Sequence, residues 1–174
     1  MNNIIITGMP RCGKTTILKE VISYYNQKVG FVTNEIICDG ERIGFEIETF
    51  NYNKITLAHI NFKSKLKVSK YFVNINNLDS IIKYVNKYDK DELLFLDEIG
   101  EMELYSDKFK KLVIDYLDSD NVCIATLSKV FCNDFIEKIK QRKDCLIIDV
   151  YVSNRDSKTI EIKQKLKKLI DNKN

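Results

Sequence analysis

The stretch ITGMPRCGKTTIL, Ile6 to Leu18, decides the fold. A β-branched run, Ile4 to Thr7, breaks at Gly8, and from Thr15 onward Leu18, Val21, Ile22 and Tyr25 fall on one helical face. The order is strand, loop, helix. Within it Gly8, Gly13, Lys14 and Thr15 satisfy the pattern G-x-x-x-x-G-K-[ST] in full. The chemistry needs each residue type. Glycines let backbone N–H groups close around phosphate oxygens, Lys14 brings a mobile positive charge to the β- and γ-phosphates, and the Thr15 hydroxyl ligates Mg²⁺. The dipole at the start of the following helix adds to the field. Four such positions arise by chance roughly once in 200 chains of this length, and the flanking strand and helix lower that further. The expected nucleotide cradle is Gly8, Met9, Pro10, Arg11, Cys12, Gly13, Lys14, Thr15 and Thr16.

A loop of this kind requires a second element, an apolar strand ending in an acidic residue. The run LLFLDEIG, Leu93 to Gly100, supplies it about 80 residues later. Asp97 is placed to hold Mg²⁺ with Thr15, directly or through water. Glu98 next to it is placed to orient and deprotonate a water attacking the γ-phosphate, so Glu98 and Lys14 are the expected catalytic pair. The plainer reading of Glu98, a loop cap or a partner for a surface lysine, carries about one quarter of the weight.

The remaining pattern alternates strands and helices. Val29 to Thr33 reads as a strand, and Asp39-Gly40 as a turn into Ile43 to Thr49, whose alternation marks a half-buried antiparallel strand. Ile55 to Ile60 returns after a turn at Asn51 to Lys54. Tyr71 to Ile75 reads as extended and Leu78 to Tyr88 as helix. A helix from Ser106 to Leu117, a strand from Val122 to Thr126, a helix from Asp134 to Gln141, a strand from Cys145 to Val150 and a lysine-rich helix from Lys158 to Lys173 follow. Apolar strands alternating with helices imply an α/β fold of the P-loop type: a mainly parallel sheet with helices on both faces, extended by an antiparallel hairpin. One domain over residues 1–174 is expected.

Composition narrows the setting. With 44% hydrophobic and 30% charged residues and one proline, the chain is that of a globular protein. It has neither an apolar run of membrane-spanning length nor a secretory signal, so the expected location is the cytoplasm, with no membrane partner. The five cysteines lack any C-x-x-C pair and read as free thiols. The net charge of +3 comes with only four arginines. This lysine bias reads as compositional before it reads as a nucleic-acid signal, and a monomer is expected.

These motifs resemble the THEP1-type nucleoside-triphosphatases, which include bacterial and archaeal enzymes and the human cancer-related nucleoside-triphosphatase. The resemblance covers nearly the whole chain: GMPRCGKTTIL, then GFVTNEI and GERIGFEI, VSKYFVN, LDEIGEMEL, IATL and NRD. It implies slow, Mg²⁺-dependent hydrolysis of nucleoside triphosphates, ATP and GTP among them, with loose base selectivity. Carried over, the nucleotide-contacting segments fall on Gly8 to Thr15 and on Asp97, Glu98, Gly100 and Glu101. Three departures stand out. Where the family usually reads V-G-K-Y-G-V, this chain has Val68-Ser69-Lys70-Tyr71-Phe72-Val73. Glu101 stands where Lys or Pro is usual, and Arg11-Cys12 replaces smaller loop residues.

Among the arginines, Arg155 in NRD lies where strand ends converge on ligands and is expected to contact base or ribose. Arg142 is expected to supply charge if the helix before it folds over the site, and Arg42 matches the family's G-x-R-x-G-F; for each, a plain surface ion pair weighs equally. With no arginine on the phosphate, turnover is expected on the order of 10⁻³ per second. Thr126 ends a strand beside the site, as a γ-phosphate sensor or as a buried hydroxyl. His59 carries little catalytic expectation. Cys12 reads as a spectator whose place near a helix N-terminus could make it oxidation-sensitive. Lys63, Lys65, Lys67 and Lys70 form a solvated face or the acceptor site of a kinase, the alternative to a hydrolase. A third reading is a nucleotide-gated binding module whose hydrolysis a partner stimulates.

Overall fold

The computed structural model describes residues 2–173. Nine strands form one continuous sheet. The parallel half consists of β2 (Lys28–Cys38), β7 (Leu93–Ile99), β8 (Cys123–Ser128), β1 (Asn3–Gly8) and β9 (Cys145–Val150). In it β1 is flanked by β8 and the edge strand β9, and Ile4, Ile5 and Ile6 are all fully buried. Consecutive buried residues mean that both faces of the sheet are covered, which is why this strand reads as a continuous apolar run.

On one face α1 (Lys14–Ile22) and α5 (Arg155–Asp171) pack through Ile17, Leu18, Val21, Ile162 and Leu166 against Ile4, Ile6, Ile124 and Ile148. On the other, α2 (Ile75–Val85), α3 (Asp107–Asp118) and α4 (Asp134–Lys140) cover Ile5, Leu94, Leu96 and Ala125 through Leu78, Val85, Phe109, Tyr116 and Ile136. Each fully buried aliphatic side chain contributes about 1.5–3 kcal/mol. Among the described residues no helix is long and apolar enough to cross a membrane.

The antiparallel half is larger than the hairpin expected from sequence. Beyond Phe31, which pairs with Leu96, β2 runs on to Cys38 and pairs with β3 (Glu41–Thr49) alone. Next come β4 (Lys54–His59), β6 (Tyr71–Val73) and the two-residue edge strand β5 (Lys67–Val68). The stretch expected to be extended from Tyr71 to Ile75 stops at Val73, because Asn74 caps α2 by accepting a hydrogen bond from the Asn77 N–H. The terminal helix begins at Arg155, three residues ahead of the expected start.

Candidate active site

The site is built at the carboxyl ends of the parallel strands. Gly8 closes β1 so tightly that a Cβ there would lie 2.4 Å from the Val150 carbonyl oxygen. Gly13, with φ of 106°, turns the loop into α1, a left-handed conformation that glycine adopts without a steric cost. Arg11 also adopts positive φ (64°) and holds the exposed crest of the loop. Met9 and Pro10 share that crest, while Cys12 is buried beneath it.

The loop's electrostatics follow from what α1 lacks. Helices α2, α3 and α4 are closed by the side chains of Asn74, Ser106 and Asn133. Helix α1 starts at Gly13 with no side-chain cap and no acidic residue in its first turn. Its leading N–H groups thus stay open to an anion, reinforced by the helix dipole. Lys14, 6% exposed, donates to the carbonyl oxygens of Gly8 and Met9 at 3.1 and 3.4 Å.

Opposite the loop, β7 delivers two adjacent carboxylates into different surroundings. Asp97 is 1% exposed. Thr15 donates to its two oxygens at 3.0 and 2.9 Å, and Thr126 to one of them at 2.6 Å. Thr33 from β2 donates to the Asp97 carbonyl at 2.7 Å. Burial pushes the Asp97 carboxyl up from its ordinary value, against the pull of these donors and of Lys14. The peptide between Asp97 and Glu98 is cis. Glu98 keeps 31% exposure, with Oε1 3.8 Å from Lys14 Nζ. Burial pushes it up to about 7; the Lys14 ammonium opposes this shift and Asp97 adds to it.

The expected catalytic and metal residues therefore meet: Lys14, Thr15, Asp97 and Glu98 lie within one contact of each other. Thr16 follows in the first turn of α1. Arg155, at the start of α5, lies against the loop: a Cβ on Gly13 would lie 2.6 Å from its Cδ. Gly100 sits between two carboxylates, since a Cβ there would lie 3.1 Å from Glu103 Oε2 and 3.9 Å from Glu98 Cδ. Glu101 is half-buried in the next turn, outside the contacts that join the loop to β7.

The condition set for Arg142, a helix folded over the site, is not met, while Arg42 and His59 take the plain structural roles that weighed equally or more. Arg142 does not reach the site. It binds Asp144, Asp118 and the Leu117 carbonyl around Asn3, at the opposite, amino-terminal end of the parallel strands. Arg42 is held on the antiparallel half by Glu35 and the Tyr71 hydroxyl, and stacks on Phe45 at 5.0 Å. His59 accepts from the Asn61 N–H on β4. The Lys63 to Lys70 segment carries β5, five strands from β7, or about 24 Å along the sheet. The acceptor-site reading of those lysines finds no support there. Thr33 and Glu103 escaped the sequence reading. Thr33 looked like an ordinary strand end, and Glu103 carried one signal, an acid two residues past Glu101 inside an otherwise apolar MEL.

Similarity to known proteins agrees with this layout. The sequence model of the family described as NTPase matches residues 3–163. Nucleoside-triphosphatase THEP1 of Thermotoga sp. (strain RQ2) is 39% identical over 166 residues, spanning 94% of this chain and 95% of that protein. This chain belongs to the THEP1 nucleoside-triphosphatase family. The THEP1 of Methanocaldococcus jannaschii is 39% identical over 141 residues, spanning 78% of this chain and 83% of that protein. The crystal structure of THEP1 from Aquifex aeolicus superposes with a TM-score of 0.82 at 31% identity, covering 94% of this chain and 98% of that one. The solution structure of a human cancer-related nucleoside triphosphatase gives 0.76 at 25% identity, covering 93% and 95%. The mixed, largely parallel sheet with helices on both faces is the THEP1 architecture.

Proposed function

We propose that this chain hydrolyses nucleoside triphosphates, ATP and GTP among them, to the diphosphate and inorganic phosphate, slowly, with Mg²⁺ and with little discrimination between bases. One observation carries the reading. Adjacent carboxylates are held apart in role, Asp97 locked by the hydroxyls of Thr15 and Thr126, Glu98 half-open with its oxygen 3.8 Å from Lys14. Two neighbouring acids in unlike environments are how one site separates charge stabilisation from proton transfer. The names of the relatives point the same way.

The donor set fits Mg²⁺. The Thr15 hydroxyl and Asp97 carboxylate, 2.9–3.0 Å apart, are hard oxygen donors. A single carboxylate suits a cation that retains water and shares phosphate oxygens. The buried Asp97 also gains from a nearby positive charge. Thr15 and Asp97 would hold the ion, which when bound neutralises charge on the β- and γ-phosphates.

The open N–H groups of the Gly8 to Thr16 segment bind the phosphates, and Lys14 exchanges loop carbonyls for phosphate oxygens. Glu98, ionised above about pH 7, accepts a proton from water as its oxygen attacks the γ-phosphorus. The bond to the bridging oxygen breaks and the diphosphate leaves; the proton passes to phosphate or solvent. Arg155, 49% exposed beside Gly13, offers a planar cation that stacks on any base face, a basis for loose selectivity. Arg42 and Arg142 are engaged elsewhere. Without an arginine on the γ-phosphate, turnover is expected on the order of 10⁻³ per second.

The test is phosphate release from a panel of Mg²⁺-nucleoside triphosphates by the wild type and Glu98→Gln, with and without nucleoside or oligonucleotide acceptors. Release from several nucleotides without acceptor, abolished in the variant while binding persists, supports the reading. Release that depends on an acceptor and labels it refutes it.

A further inference from the structure

Glu103 is a buried acid with no evident structural purpose. It lies in the short 3-10 turn Glu103–Tyr105 that links β7 to α3 and is 5% exposed. Among the described residues no lysine or arginine pairs with it. Acidic side chains are almost never buried unpaired, because removing the charge from water costs several kcal/mol. Burial pushes its carboxyl up to about 8, and the charges of Glu98 and Asp97 add to the shift. Only the backbone N–H groups of Glu103 itself and of Gly100 favour its anion.

Its placement identifies what it does. A Cβ on Gly100 would lie 3.1 Å from Glu103 Oε2, 3.7 Å from Glu98 Cγ and 3.9 Å from Glu98 Cδ. The two side chains thus pack against the same bare face of Gly100. The turn is tied at its other end, where the Leu104 N–H donates to the Gly100 carbonyl at 3.1 Å and the Ser106 N–H to the Glu103 carbonyl at 3.0 Å. Ser106 then caps α3 through the Phe109 N–H.

We propose that Glu103 is a positioning residue for hydrolysis: its buried carboxyl, packed against the bare face of Gly100 that Glu98 also lines, fixes the Ile99–Gly100 bend so that Glu98 is held at the phosphate loop. The inference rests on the reading of Glu98 as base. A buried group that opposes stability yet persists is explained when local rules are broken to serve a site. A side chain kept for packing should stabilise the fold, whereas one kept for positioning should lower stability while raising turnover.

The experiment compares wild type, Glu103→Gln, Glu103→Leu and Glu98→Gln for kcat, KM for Mg²⁺-ATP and thermal midpoint at pH 8. Displacing a reacting group by about 1 Å costs roughly 100-fold. We expect Glu103→Leu to lower kcat by about 10- to 100-fold at a KM within about twofold of wild type, with a thermal midpoint equal or higher. Glu103→Gln keeps an acceptor for the N–H groups and is expected to restore kcat to within about threefold of wild type. Unchanged kcat in Glu103→Leu, a loss matched by a fall in thermal midpoint, or equal losses in Gln and Leu overturns the inference. If Glu98→Gln retains turnover, the base assignment fails instead, and the proposal falls with it.

Discussion

Glu98→Gln should separate stability from activity. Burial raises the Glu98 carboxyl from 4.5 to about 7 in the folded chain. Below about pH 4.5 the group is protonated in both the folded and unfolded states and the acid costs nothing. Between 4.5 and 7 the unfolded chain releases the proton first, so stability falls as pH rises; above 7 both states are ionised and the full cost is present. At 1.36 kcal/mol per unit the shift amounts to about 3 kcal/mol, reduced to about 2 by solvent screening of a side chain that keeps 31% exposure. Glutamine is nearly isosteric and carries no charge. The variant should therefore be more stable than wild type by about 2 kcal/mol at pH 8, or about 4–8 °C in midpoint, and within about 0.5 kcal/mol of it at pH 4.5. Its turnover should fall by about 10²- to 10⁴-fold, the usual contribution of a general base. Urea and thermal denaturation at both pH values, with phosphate release at pH 8, measure these differences. An equal stability difference at pH 4.5 and pH 8, or a variant less stable at pH 8, would refute the reasoning.

Three further outcomes are expected. On the proposed role of Glu98 as base, kcat of the wild type should rise with pH to a plateau with a midpoint about 7; a flat profile between pH 5.5 and 8.5 counts against that role. Arg155→Ala should raise KM for several nucleotides by about 5- to 10-fold at nearly constant kcat, because the side chain lies over Gly13 and not at Glu98; a matching fall in kcat would place it on the transferred phosphate. Ser69→Gly should stabilise the fold by about 1 kcal/mol without altering kcat, because Ser69 holds φ of 54° in the β5–β6 turn; urea denaturation checks this, and a loss of stability contradicts it.

Legibility in the sequence tracked how local each determinant was. The loop and the apolar strand ending in Asp97-Glu98 are contiguous, and their spacing fixes backbone geometry directly. The antiparallel half was partly legible: β3 and β4 alternate in hydrophobicity, but β5 has two residues and no pattern of its own. Ser69 shows what pattern cannot convey. Its position is glycine in the pattern V-G-K-Y-G-V, and the structure supplies the physical reason, a left-handed turn between β5 and β6. Phe72, at the other missing glycine, sits in β6 under the Lys67 ammonium at 5.2 Å, an ordinary strand environment in which a side chain has room. Arg42 and Arg142 stayed undecided in sequence for a different reason. A guanidinium's role depends on which edge of the sheet its helix or loop returns to, and Arg142 returns to the amino-terminal edge, where Asp144 and Asp118 were waiting in sequence but unassigned in space.

Asp97 joins these observations into one design. Three hydroxyls from three elements converge on it or its peptide: Thr15 from α1, Thr126 from β8 and Thr33 from β2. Parallel register brings them together, with Ile6 opposite Thr126 and Phe31 opposite Leu96. No window of sequence contains more than one of the three, so the convergence is invisible until the sheet order is known. Its effect is to hold Asp97 rigidly while Glu98, one residue on, has Lys14 as its only ion-pair partner among the described residues. A fixed acid beside a freer one is the asymmetry on which the proposed division between metal holding and proton transfer rests. Replacing Thr126 with valine should test it: the packing volume is kept, Asp97 loses one donor, and the loss should appear as a higher Mg²⁺ concentration at half-maximal rate with the pH profile unchanged, whereas an unchanged Mg²⁺ requirement contradicts it.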